Sequence, residues 1–414
     1  MTFASFARRS GILAALACLP VQAQTLGSAQ DAYLLTDLLP TGRSAARVEA
    51  RYGYANQILA PNGDHVPLFG AANNLAIDAR TIPLLGLFGP GATLGTTQVQ
   101  THASGQRYRM TFGFGVNDDL TVGAMLPWGR IDNRVDFAVA GANLAANPYF
   151  NAAAAIGPAN SPFAPLAMLP PGTPAAGTAD IQRVLSDPAY GYGYKPIGNV
   201  RHEGLLDPVI GLRWRIAADA TSATVLAPAL RIGNAQKRDP DQIFDMRLEE
   251  GTTDLILGLE HIRQIGERGD LSLAGKYTRR TRDTLNARAR GVGEFLVPQS
   301  RTETLDRRMG DIFEAAVEAG YRIDAWRLAA RLDYSGKAQD RYHSARGQDV
   351  SGLEADTAGH SYTAWLGANW SGLKAYEAGR LPIPLFFSVY YRHALSGKND
   401  ILTRDWYLTL TSVF

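Results

Sequence analysis

The 414-residue chain contains one cysteine, Cys18, so beyond its first twenty residues there is no disulfide, no thiol nucleophile and no cysteine-based metal site. It also lacks any run of about 20 uninterrupted apolar residues, which excludes a membrane protein built from spanning helices. Charge is sparse, at 19% of residues, yet 46% of residues are hydrophobic, too apolar for a disordered chain. Missing as well are a nucleophile elbow, a His-Glu-x-x-His pair, a phosphate loop and a zinc-ligand spacing. No enzymatic activity and no cofactor or metal are therefore expected.

What is present begins with a leader. Arg8 and Arg9 precede the apolar run Gly11 to Leu19, and Val21-Gln22-Ala23 places small residues before Gln24, the pattern of a secretory signal peptide over residues 1–23. Its removal takes away Arg8 and Arg9 and no acid, leaving 39 basic residues against 39 acidic. A neutral mature chain with no basic block predicts no nucleic-acid partner.

From there to the end, apolar and polar residues alternate with period two, the signature of strands. Ala46, Val48, Ala50, Tyr52 and Tyr54 alternate with Arg47, Glu49 and Arg51; Tyr108, Met110, Phe112 and Phe114 alternate with Arg107, Arg109 and Thr111. The same reading holds for Leu120 to Trp128, Ile210 to Ile216, Ser222 to Ile232, Leu255 to Glu260, Leu271 to Tyr277, Phe313 to Ile323, Trp326 to Tyr334, Tyr362 to Trp370, Leu385 to Tyr391 and Ile401 to Phe414. One parity carries ions that a soluble core would not accept, and the other ends in Tyr or Trp, as in a transmembrane barrel with aromatic girdles.

The predicted fold is an all-β transmembrane antiparallel β-barrel of about twelve strands over residues 43–414 in the bacterial outer membrane, reached through the Sec pathway, with both ends periplasmic. Fourteen strands is the competing count, should part of the second long loop pair with the barrel. Short turns near residues 117, 219, 267 and 324 fall at the periplasmic end, and long loops 55–96, 132–203, 233–250, 281–307 and 336–359 at the outer end. Residues 24–42 form a periplasmic N-terminal segment. Trp406, Leu408, Leu410 and the terminal Phe414 resemble the C-terminal assembly signal of outer-membrane barrels, implying the barrel-assembly machinery and periplasmic chaperones as partners in biogenesis, beside outer-membrane lipid and lipopolysaccharide.

Phe114-Gly115-Val116-Asn117-Asp118-Asp119-Leu120-Thr121-Val122-Gly123, Gly204-Leu205-Leu206-Asp207-Pro208 with Gly211-Leu212-Arg213-Trp214-Arg215, and Gly251-Thr252-Thr253-Asp254 resemble an outer-membrane porin-like transporter family encoded with aromatic meta-cleavage and phenol degradation pathways. That resemblance implies carriage of hydrophobic or aromatic small molecules, by analogy with fatty-acid-transporter barrels.

Two residue sets are candidates for the solute path. Inward parity gathers Arg107, Arg109, Arg213, Arg215, Glu314, Glu318, Arg327, Arg331, Tyr390 and Arg392, either as ion-pair ladders that fill the barrel or as a basic track for carboxylated solutes. The outer loops gather apolar residues, Leu84, Leu85 and Phe88 in one, and Phe150, Phe163, Met168, Tyr190, Tyr192 and Tyr194 in another with nine of the 22 prolines. These either pack on each other as a lid or capture hydrophobic solutes. The expected function is passive uptake of small hydrophobic or aromatic, in part carboxylated, compounds. The alternatives are a closed barrel acting in surface binding or adhesion and, less favoured, an outer-membrane lipid hydrolase using a lipid-facing histidine, His261 or His393, with Ser412.

Overall fold

The computed structural model describes residues 38–81, 85–86, 92–142 and 178–414; the signal peptide, the N-terminal segment through Asp37, and Leu84, Phe88, Phe150, Phe163 and Met168 lie outside the described residues. Twelve long strands form the wall: β1 (Ser44–Leu59), β2 (Thr93–Asn117), β3 (Leu120–Ala140), β4 (Val209–Ala218), β5 (Ser222–Arg231), β6 (Asp254–Ile265), β7 (Gly269–Arg280), β8 (Ile312–Ile323), β9 (Trp326–Lys337), β10 (Gly359–Ser371), β11 (Leu385–Lys398) and β12 (Asp400–Val413). Each pairs antiparallel with its neighbour in sequence, and β12 pairs with β1 from Ala45 opposite Val413 to Leu59 opposite Asp400. Closure of this kind is what lipid demands, since an open edge would leave amides without water or partner at several kcal/mol each.

The period-two pattern explains which way each strand faces. Val48, Met110, Phe112, Trp214, Leu257, Leu273, Phe313, Leu328, Leu366 and Leu408 are exposed, while Arg47, Arg109, Arg213, Glu260, Lys276, Glu314 and Arg327 are buried. This is the inverse of a water-soluble protein, and an apolar belt of this extent is stable only against hydrocarbon. Neighbouring aromatic rings on the outer face form part of a girdle, with Tyr108 and Trp128 5.8 Å apart and Tyr391 and Trp406 4.9 Å apart.

The start of β1, the C-terminal Phe414 and the tight turns share one rim. Asp219 shows why the turns are tight: its carboxylate accepts from the amides of Thr221 and Ser222 at 2.7 Å each and from both their hydroxyls, which holds its pKa down at about 2. Asp324 takes the left-handed conformation, φ 51°, that a two-residue hairpin needs. Between β10 and β11 the connection is longer because it contains the short helix Leu373–Glu377.

At the other rim the strand limits differ from the sequence reading. β2 and β3 run for 25 and 21 residues, so Thr93 to Thr96 and Asp132 to Ala140 continue the wall rather than belonging to loops. The connection at residues 396–400, already short in the sequence, is as expected: β11 passes into β12 through the single residue Asn399, φ 52°. Above the barrel, three shorter strands, Arg282–Arg288, Thr302–Arg308 and Arg341–His343, pair as a small cap sheet.

One stretch of the second long loop does pair with the barrel. Val200–Leu205 lies along the upper part of β3, from Leu205 opposite Trp128 to Val200 opposite Asn133, while β4 takes the lower part from Met125 opposite Val209 downward. The two pieces are one wall strand broken at Leu206-Asp207-Pro208, so the count stays at twelve instead of rising to fourteen.

Candidate functional site

The interior is a layered set of ion pairs. Register places inward-facing charges of opposite sign on the same, adjacent or next-adjacent strands, and an unpaired charge buried in a barrel interior is costly. Arg109 reaches Glu49 at 2.8 Å, Arg213 reaches Glu260 at 2.7 Å, and Arg331 reaches Asp333 at 2.6 Å. Arg327 lies between two acids, Asp270 at 2.5 Å and Glu318 at 2.7 Å. Lys276 pairs with Glu314, and Arg231 with Asp254. Arg392 sits 3.5 Å from Asp405, donates to Tyr407 and Thr403, and stacks over Trp365, while the Tyr390 hydroxyl accepts from Asn369 at 2.7 Å. Arg215 stands apart from this set: it pairs with Asp119 at the turn rim.

Above this layer the loop between β5 and β6 turns inward, a feature that the sequence reading, which treated 233–250 as an outer loop, did not find. Its eight residues Ile243 to Glu250 are all buried although they form no regular structure. Strand-like alternation continues through Phe244, Met246 and Leu248, but against the lumen wall instead of lipid. Arg107, 1% exposed, donates to the Leu248 carbonyl at 3.0 Å and lies 3.4 Å from Glu249; Asn133 donates to the Phe244 carbonyl at 3.1 Å. Leu248 and Met246 pack with Ile58, Ala103, Ile131 and Ile401, and Phe244 packs edge-on against Phe69 at 5.3 Å. The wall is cut away to admit this plug: a Cβ at Gly129 would overlap the Leu248 side chain. The signal that could have revealed it is the alternation of apolar and charged residues from Phe244 to Glu249, with no glycine or proline where an exposed loop would have several.

The plug leaves the wall where β4 is broken. Asp207, 1% exposed, accepts through its carboxylate from the amides of Asn234 and Ala235 at 2.7 Å each, and its backbone amide donates to Glu249 at 2.6 Å, so one residue ties the break to both legs of the plug. The legs touch at Gly233 and Gly251, the latter at φ 66°, where a Cβ would strike the Ala235 carbonyl. Among the described residues, Val200–Leu205 has a ladder partner on its β3 edge only. Beside that free edge stand the exposed Leu205, Ile232 and Leu255.

The opposite mouth is narrowed by the segment Leu38 to Pro40 just before β1. The Leu39 amide donates to Thr121 Oγ1 at 2.7 Å, and Leu39 packs with Ala45, Leu373 and Phe386 inside the turn rim. Gly115 is required there, because a Cβ would overlap the carbonyl oxygens of Leu39 and Pro40.

Of the loop residues named from sequence, Leu85, Tyr190, Tyr192 and Tyr194 come together, buried, in one cluster with Ile77, Val99, Val135, Ile181 and Phe244. They pack on each other and on the plug. Trp406, Leu408, Leu410 and Phe414 are exposed along the lipid face of β12. Ser412 is opposite Leu385 and His393 opposite Arg404, so these two lie at opposite ends of the β11/β12 pair, about 25 Å apart at ~3.3 Å per residue, too far to act together.

No family model and no curated relative matches the sequence. Among solved structures the chain is similar to an outer membrane channel from Pseudomonas putida F1, at 13% identity and a TM-score of 0.50, over 91% of this chain and 97% of that one. It also aligns with the CymD monoaromatic hydrocarbon channel (11% identity, TM-score 0.36, 96% of this chain and 94% of that one). A Pseudomonas aeruginosa FadL homologue aligns at 12% identity and a TM-score of 0.35, over 99% of this chain and 98% of that one. The likeness to the Pseudomonas putida protein is one of fold: the chain is a closed twelve-stranded antiparallel β-barrel of the outer-membrane type.

Proposed function

We propose that the protein is an outer-membrane channel for passive uptake of small hydrophobic or aromatic compounds, and that solute leaves it sideways through the break in β4 rather than straight down the axis. The observation that carries this reading is the pairing of a filled axis with a broken wall. Ion pairs and the Ile243 to Glu250 plug occupy the lumen, while Val200–Leu205 has no second strand neighbour among the described residues, beside exposed Leu205 and Ile232. An apolar solute gains nothing from an axis lined with buried charge, whereas a lateral exit delivers it into lipid at about 25 cal/mol per Å² of apolar surface removed from water. The fold shared with an outer membrane channel from Pseudomonas putida F1 supports the location and the class. The inward arginines act in this reading as ladder members that stiffen the barrel.

Uptake of labelled aromatic compounds by cells lacking the protein, restored by the gene, tests the proposal. Restored uptake is expected to fail when a disulfide is engineered across the break, from Gly204 to a facing plug residue. A barrel that is correctly inserted but gives no difference in uptake would favour the second reading, a closed barrel whose cap binds a surface or partner; the filled lumen is the feature that favours it.

Insertion itself is proposed to depend on Trp406, Leu408, Leu410 and Phe414 as the signal read by the barrel-assembly machinery. Deleting Phe414 is expected to lower the amount of heat-modifiable protein in the outer membrane several-fold, measured by gel shift, while the precursor is still exported.

A further inference from the structure

Between the plug and the cap sheet lies a cavity of about 120 Å³, lined on one side by Ile243 and on the other by Leu285, Ala287, Phe295, Val297 and Leu353. That volume is close to the roughly 150 Å³ void that one benzene ring occupies in an engineered protein core. The charges around it are unequal in their partnering. Each acid has its own base: Asp239 has Lys195 at 2.5 Å, Asp245 has Arg247 at 2.9 Å, and Glu250 has Arg238 at 3.0 Å and Arg307 at 3.4 Å. Of the bases, Arg288 has Asp241 at 2.6 Å and lies over the Tyr194 ring at 3.7 Å.

Arg290 is left over. Its side chain faces the cavity, its Nε is buried, and no described residue gives that nitrogen a hydrogen-bond acceptor. Glu294, the nearest acid in sequence, is held elsewhere: it accepts from Arg301 at 2.8 Å and from the Gly291 amide at 2.7 Å. Burial lowers the Arg290 pKa, the mark of a cation in a site that would welcome an anion. Tyr342 also faces the cavity, and burial raises its hydroxyl to about 12, so it is neutral and able to donate at any physiological pH.

We propose that this cavity binds a small aromatic carboxylate, its ring against Leu285, Phe295, Val297 and Leu353 and its carboxylate on the Arg290 guanidinium. A planar guanidinium matches a carboxylate in a two-point contact, and partial exclusion of water strengthens that contact over one at the surface. The apolar wall and the single unpaired cation together specify the class: neither a bare anion nor a neutral hydrocarbon satisfies both. The site gives the channel proposed above an anionic substrate class and rests on that reading for its role, though not for its occupancy.

Binding to the whole purified barrel in detergent is measured by titration calorimetry with benzoate, its neutral near-isostere benzyl alcohol, and inorganic phosphate. Benzoate is expected to bind at least about tenfold more tightly than either. Arg290→Met, which keeps the unbranched apolar stem but not the guanidinium, should remove that preference while leaving benzyl alcohol within a factor of about two, and Arg290→Lys should retain part of it. Gel-shift heat modifiability confirms that each variant is folded, and Arg301→Met serves as a control at an arginine already paired. Benzoate binding unchanged in Arg290→Met, no preference of the wild type for benzoate over benzyl alcohol, or phosphate binding as tight as benzoate would each overturn the proposal. Benzoate binding that depends on Arg290 without any cellular uptake would keep the site and sink the channel reading, so the two fail separately.

Discussion

Replacing Ile243 to Leu248 by a glycine-serine stretch of the same length should raise the single-channel conductance of the protein in planar bilayers several-fold, with the barrel still heat-modifiable. The plug is held by Arg107 to the Leu248 carbonyl and Glu249, Asn133 to the Phe244 carbonyl, His202 to Asp245, Arg238 and Arg307 to Glu250, Asp207 to Glu249 and the amides of Asn234 and Ala235, and by an apolar contact with Ile58, Ala103 and Ile131. Removing the apolar side chains deletes the packing term, worth about 1.5–3 kcal/mol for each fully buried large residue, and leaves a polar chain with no reason to stay inside. The barrel wall itself is unaffected, since none of its ladders runs through residues 243–248. Arg107→Ala should produce a smaller rise in conductance, because it removes one anchor and leaves the apolar contact. Conductance equal to that of the parent protein would mean that the ion-pair layer below, rather than the plug, closes the axis.

The contrast between strands and plug shows what could be read from the residues alone. All twelve wall strands were legible because lipid on one side and a charged interior on the other impose a strict period of two, and a one-residue slip would place Arg109 or Arg327 in hydrocarbon. The turns at Asp219 and Asp324 were legible for the same local reason, a short polar side chain or a left-handed residue between two alternating runs. The ends of β2 and β3 were not, because beyond the membrane both faces of a strand meet water or protein and the alternation weakens: Thr97 and Thr101 are buried there, and Gln98 and Gln100 exposed. Nor was the plug, since its alternation of Phe244, Met246 and Leu248 with Asp245, Arg247 and Glu249 is satisfied by contacts with Phe69, Leu206 and Arg107 that are distant in sequence. Arg290 could not be singled out from 41 lysines and arginines, because what distinguishes it is that its neighbours' carboxylates are already committed.

Arg327→Ala should lower the stability of the barrel by about 3–5 kcal/mol, the cost typical of removing one partner from a buried ion pair. Arg327 is 1% exposed and bridges Asp270 and Glu318, which are themselves 7% and 3% exposed, so its loss leaves two carboxylates on the adjacent strands β7 and β8 without a counter-charge. The measurement is the urea midpoint of refolding into detergent micelles, followed by tryptophan fluorescence. A repair distinguishes the electrostatic cause from lost packing: adding Asp270→Asn and Glu318→Gln to Arg327→Ala should recover most of the loss, because neutral amides no longer repel and can donate to each other. The alternative, that Arg327 and Arg331 form part of a basic track for carboxylated solutes, predicts a different pattern. In that case Arg327→Ala with Arg331→Ala would lower uptake of carboxylated compounds more than of neutral ones and shift channel selectivity toward cations, with little change in the urea midpoint. The geometry favours the first outcome, since both guanidiniums already hold carboxylates at 2.5–2.7 Å, and a solute would have to displace a fixed, pre-paired partner to reach either of them.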